Sequence, residues 1–134
     1  MDIVLFACVH NAGRSQMAAA WFNSLTDPSK ARAISAGTQP GQRVHPEVVQ
    51  AMREAGVDLE AVKPQLLTEE LAKQATLLVT MGCGDACPFV PGLKKIDWDL
   101  RDPKGQSIFV VRQIRDQIRQ LVSQLVSERK WAQP

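Results

Sequence analysis

The chain has 134 residues, is 45% apolar and 22% charged, and carries a formal net charge of +2. That length supports one hydrophobic core and not two, so a single domain over residues 1–134 is expected. The small charge, the lack of a basic run interleaved with aromatics and the lack of any long apolar stretch argue against nucleic-acid and membrane partners and predict a cytoplasmic globule.

Taken in chain order, residues 3–7 form an apolar run that reads as a strand. Met17, Ala18, Trp21, Phe22 and Leu25 then share one face of a helix over 14–25, closed by Thr26-Asp27-Pro28. Residues 31–36 read as a second strand. Pro46 opens a second helix that runs to 55 and stops at Gly56. Thr68 is placed to cap a short third helix. A third strand is predicted over 76–81 and a short fourth over 94–97. The last helix, 107–128, carries the apolar stripe Val111, Ile114, Ile118, Leu121, Val122 and Leu125, which is the pattern of core packing. Trp131 stands in a polar tail expected to fray. Trp21 and Trp98 are expected in the core or a cleft wall.

Strands alternating with helices predict an α/β fold, an open parallel sheet of about four strands with helices on both faces. Ligands of such sheets bind beyond the carboxyl ends of the strands. Cys8 follows the first strand, Cys83 the third and Asp102 the fourth, so all three are expected on one rim.

The segment Cys8-Val9-His10-Asn11-Ala12-Gly13-Arg14-Ser15 joins the first strand to the first helix. Unpaired backbone N–H groups at a helix N-terminus carry partial positive charge and cradle oxyanions. Residues Val9, His10, Asn11, Ala12, Gly13 and Arg14 would form that cradle, with Cys8 at its base. A thiol attacks only as thiolate, a form favoured by helix N-termini and nearby cations. Arg14 offers a planar fork that matches two oxygens of a tetrahedral anion. Ser15 can donate its hydroxyl to the sulfur. Asn11 is a candidate brace for the loop, and Gly13 lets the turn tighten. His10 is expected to point away at the loop tip, and His45 before Pro46 reads as turn chemistry. Read alone, Cys8 could be a small buried hydrophobe and Arg14 a surface charge. The strand, the helix and Ser15 around them favour a nucleophile aimed at a bound anion.

This loop resembles that of the low-molecular-weight protein tyrosine phosphatases and their relatives, and its continuation Gln16-Met17-Ala18 resembles the arsenate reductases of that superfamily. The phosphatases usually carry proline where Gln16 stands. Ile34-Ser35-Ala36-Gly37-Thr38, the stretch Val79 to Pro88 with Cys83 and Cys87, and Trp98-Asp99-Leu100-Arg101-Asp102-Pro103 resemble further family segments, in family order. The resemblance implies a flavodoxin-like fold and reduction of arsenate to arsenite. Cys8 would attack arsenate, Cys83 would then attack Cys8, and Cys87 would attack Cys83. It implies no bound cofactor. The external reductant would be thioredoxin, or mycothiol or glutathione with a glutaredoxin-type partner. The molecule would be a monomer or weak homodimer.

Three cysteines make no static disulfide framework and in a reducing compartment read as catalytic. For Cys83 and Cys87 the competing readings are inert burial and zinc binding; the latter would need the whole set of cysteines and histidines. By spacing, Asp85, Asp97, Asp99 and Asp102 have similar claims as the acid. The resemblance selects Asp102, whose projection Pro103 would constrain. The chain has no tyrosine, which argues against a phosphotyrosine pocket. Some relatives hold potassium beside the loop through an acid on the first helix. Ala19 stands there and Lys63 lies near, so no metal is expected. A phosphatase and a non-enzymatic oxyanion or thiol-redox sensor are the rival functions.

Overall fold

The computed structural model describes residues 1–82 and 91–133. Its elements are β1 (Asp2–Cys8), α1 (Arg14–Leu25), β2 (Ala31–Gly37), α2 (Pro46–Glu54), α3 (Glu69–Gln74), β3 (Leu77–Thr80), β4 (Lys94–Asp97) and α4 (Ile108–Glu128). Their order and type are those expected from the sequence. β3 is shorter than predicted. At its start Thr76 meets Ile3 through backbone and side chain together, its N–H donating to the Ile3 carbonyl at 2.8 Å and its Oγ1 accepting from the Ile3 N–H at 3.1 Å. At its end Gly82 turns the chain with φ +88°.

The four strands among the described residues are all parallel, in the order β2-β1-β3-β4. β1 is central, and the sequence Val4-Leu5-Phe6-Ala7-Cys8 is buried on both faces, which explains its unbroken apolar run. The register sets Cys8 beside Gly37, Ala7 beside Thr80, and Thr80 beside Asp97, so the strands end along one rim. The chain leaves β1 toward β2 and returns past it to β3. The reversal opens a crevice at the carboxyl end of β1, where sheets of this kind bind ligands.

Side chains alternate across a strand and so supply two cores. Val4, Phe6 and Cys8 face α1, α2 and α4 in the larger core. Leu5 and Ala7 face the smaller one, with Ala72 of α3 and Leu78. Helices therefore cover both faces. α1 is buried along most of its length, from Arg14 to Phe22, because it lies between the sheet and α4. Thr68 Oγ1 accepts from the Leu71 N–H at 3.2 Å and Ser107 Oγ from the Val110 N–H at 3.4 Å, capping α3 and α4. No helix among the described residues is long and apolar enough to cross a membrane.

Trp131 does not fray. It is 7% exposed, stacks edge-on against Phe22 at 5.7 Å, and donates its Nε1–H to Asp2 Oδ2 at 3.2 Å. The Asp27 N–H donates to the Trp131 carbonyl at 2.8 Å, and Thr26 bridges to Ala132. A polar composition concealed one aromatic anchor that closes the base of the core. Phe22 thus sits between Phe6 and Trp131. Phe22→Ala is expected to cost about 3–5 kcal/mol of folding stability, read by urea denaturation.

Candidate active site

Residues 8–13 leave β1 and enter α1 as a tight loop, and its backbone hydrogen bonds determine what it can bind. The Cys8, Val9, His10 and Ala12 carbonyls accept from the N–H groups of Thr38, Gln39, Gly41 and His45, at 3.3, 2.8, 2.9 and 2.9 Å. The Gly13 carbonyl accepts from Met17 N–H at 3.0 Å as α1 begins. The Asn11 carbonyl accepts from the side chain of Gln16 at 3.1 Å. Every carbonyl from 8 to 13 is thus turned outward and paired. Among the described residues none accepts from the N–H groups of Val9 to Ser15. With the N-terminal end of α1 behind them, these unpaired amides have the arrangement of an anion cradle.

Asn11 is the residue at which the loop reverses, with φ +50°. Asparagine tolerates this left-handed conformation better than most residues. Its side chain is the expected brace. Oδ1 accepts from the Gln65 backbone N–H at 3.0 Å, which fixes the orientation of the amide. Nδ2 therefore faces Ser15 and donates to its Oγ at 2.6 Å. Ser15 Oγ lies 2.9 Å from Cys8 Sγ, and its own proton is left to point at the sulfur. Cys8, Asn11 and Ser15 are all buried, so this polarity is undisturbed by bulk water.

Arg14, also buried, is held by three neighbours. Its Nη1–H donates to the Leu100 carbonyl at 3.3 Å, and Nη2 stands 3.6 Å from Asp102 Oδ2. Gly82 completes the seat, because a Cβ there would lie 2.5 Å from Nη1. Asp102 is thereby brought to the cradle, as the order of elements implies. Its side chain is 46% exposed, and Oδ1 accepts from the Lys104 N–H at 3.0 Å. Of its rivals, Asp97 is engaged by the Thr80 hydroxyl at 2.6 Å. Pro103 packs onto Gly13, where an added Cβ would come within 2.7 Å of the proline ring. That contact is why the turn needs glycine, and it fastens the acid-bearing loop to the cradle.

His10 turns from the cradle, its Nδ1 lying 3.0 Å from the Gln39 carbonyl. His45 does more than turn the chain: its backbone N–H holds Ala12 and its ring lies over Gly13. Partial burial lowers the affinity of that imidazole for a proton below the usual 6.5, against the pull of Asp102. Sequence reasoning missed Gln16, Gln65, Gly82 and the 38–45 loop as parts of the site. Backbone donors leave no mark on residue type, so no side chain in 38–45 identifies that loop as part of the site. Cys83, Cys87 and Asp85 lie outside the described residues.

The family model for low molecular weight phosphotyrosine protein phosphatase matches residues 3–132. Arsenate reductase 1 of Bacillus cereus is 34% identical over 119 residues, 86% of this chain and 87% of that protein. A thioredoxin-dependent arsenate reductase of Corynebacterium glutamicum superposes with a TM-score of 0.83 at 35% identity. The match covers 96% of this chain and 61% of that longer one. A structure described as an arsenate reductase in the phosphate binding state gives a TM-score of 0.83 at 30% identity, covering 96% and 98% of the two chains.

Gly82 supplies a test of the seat. Alanine at this position must accept φ +88° and displace the Arg14 guanidinium. Gly82→Ala is expected to weaken binding of inorganic phosphate about tenfold, the scale of one charge-assisted hydrogen bond, as read by isothermal titration calorimetry.

Proposed function

The chain belongs to the low molecular weight phosphotyrosine protein phosphatase family, and within it we propose that this protein is an arsenate reductase with Cys8 as nucleophile. Arsenate lies on the amides of residues 9–15 with two oxygens on Arg14. The Cys8 thiolate attacks arsenic, and the displaced oxygen leaves as water with a proton from Asp102. The Cys83 thiolate then attacks Cys8 Sγ. The sulfur–arsenic bond breaks, its electron pair stays on arsenic, and trivalent arsenite departs while a Cys8–Cys83 disulfide forms. Cys87 attacks Cys83, releasing the Cys8 thiolate and leaving a Cys83–Cys87 disulfide. An external dithiol reduces that bond by exchange.

The observation that carries this reading is the seat of Arg14. Gly82, which immediately precedes Cys83 in the chain, lies against the guanidinium of the anion clamp. A hydrolase has no use for a cysteine at that point, whereas a reductase must bring a second thiol to the first. Relatives named as arsenate reductases and the lack of any tyrosine support the same choice.

Thioredoxin is the proposed reductant, by likeness to the thioredoxin-dependent Corynebacterium protein. Mycothiol or glutathione with a glutaredoxin-type partner is the alternative. Three cysteines used as thiols suit a reducing cytoplasm. The proposed cycle uses no metal, in keeping with Ala19, rather than an acid, at its position on the first helix.

Adding arsenate to the protein with thioredoxin, thioredoxin reductase and NADPH should give sustained NADPH oxidation. Cys8→Ser should abolish it, and Cys83→Ser and Cys87→Ser should each stop steady-state turnover. Full turnover in both of the latter would sink the relay. The same cradle would serve a phosphatase, the reading that the family description favours. Aryl phosphate hydrolysis faster than arsenate reduction, and unchanged in Cys83→Ser, would select it.

A further inference from the structure

We propose that Gln16 is a positioning residue for the nucleophile, acting through Asn11 and Ser15. Five of the six loop carbonyls from 8 to 13 are held by backbone N–H groups. Among the described residues the sixth, that of Asn11, is held by the Gln16 side chain alone. Asn11 is also the residue with positive φ, so the support falls where the loop backbone is least able to hold itself.

Gln16 Nε2 serves three oxygens: the Asn11 carbonyl at 3.1 Å, Asn11 Oδ1 at 3.0 Å and, more weakly, the Lys63 carbonyl at 3.5 Å. All three are acceptors, so the nitrogen faces them and the amide orientation is settled. Gln16 is 3% exposed, so these bonds are shielded from bulk solvent. By gripping the Asn11 carbonyl and Oδ1 together, it locks backbone and side chain of one residue against each other. Asn11 Nδ2 is then held at 2.6 Å from Ser15 Oγ, and Ser15 at 2.9 Å from Cys8 Sγ. Gln16 touches neither the sulfur nor the cradle amides in this chain of contacts. Its effect on Cys8 passes through two other side chains.

The inference rests on Cys8 being the nucleophile, yet its test uses no arsenate, so it can fail while arsenate reduction stands. In a Cys83→Ser/Cys87→Ser background, Cys8 is the single thiol, and its alkylation by iodoacetamide is followed against pH. Gln16→Met keeps the side-chain length and removes both donors. The expected result is alkylation about tenfold slower at neutral pH, with the rate profile displaced to higher pH. A Gln16 that only fills space would lower the melting temperature and leave that profile in place, and this outcome overturns the proposal. The protein with native Gln16 gives a second reading that does not depend on how the variant folds. The Gln16 side-chain N–H resonances should move with the same midpoint as Cys8 alkylation, and resonances that stay fixed across that range overturn the proposal as well.

Discussion

The geometry of this site depends on where six carbonyl groups point. A peptide unit carries its C=O and N–H on opposite sides, so a loop whose carbonyls are all drawn outward presents its amides inward. The 38–45 segment draws four of them, α1 a fifth and Gln16 the sixth. The cradle is therefore not a property of the loop residues alone. It is built by a neighbouring loop that continues from β2, and β2 is held in register with β1 so that Gly37 stands beside Cys8. A Cβ on Gly37 would meet the Val9 carbonyl at 2.6 Å, which shows how closely the two segments are pressed together. Sheet register, loop contact and the inward set of the amides are one constraint seen at three scales.

Around that cradle Arg14 and Asp102 are fastened by contacts of shape in addition to their mutual ion pair. Pro103 on Gly13 sets the approach of Asp102, and Gly82 under Arg14 sets the plane of the guanidinium. In both places a missing side chain lets one segment rest on another. Such contacts cost no desolvation of charge, unlike a buried salt bridge, and they leave the polar atoms of the site free for a ligand.

Much of this was readable from residue order. The strand ends, the loop and the first helix follow from an apolar run, a glycine and a helical stripe, and the rim shared by Cys8 and Asp102 follows from the alternation of strands and helices. The parts that escaped reading are those that work through the backbone or across long separations. The Thr38, Gln39 and Gly41 amides hold the cradle whatever their side chains are. Trp131 looked like tail because its partners, Asp2 and Phe22, are more than a hundred residues away along the chain. Gln16 was visible only as a letter in a resemblance. Its meaning is a geometric one, that a residue in the first turn of α1 can reach back to Asn11. Proline, which the similar phosphatases usually carry there, has no side-chain donor to do so.

The donor count at Arg14 connects the acid to the clamp. A guanidinium has five N–H donors in a fixed plane. One, on Nη1, is committed to the Leu100 carbonyl. The separation from Asp102, 3.6 Å, is longer than a good hydrogen bond, so the carboxylate orders the guanidinium without saturating it. Enough donors remain for a bidentate grip on a tetrahedral anion. An oxygen of such an anion, held on the Asp102 side of Arg14, would lie near the Asp102 carboxyl group. The half-exposed carboxylate of Asp102 faces solvent, whereas Cys8, Ser15 and Asn11 lie buried. The site thus separates its groups by depth: Cys8, Ser15 and Asn11 in the buried interior, Asp102 at the exposed rim, with one arginine spanning the boundary between them.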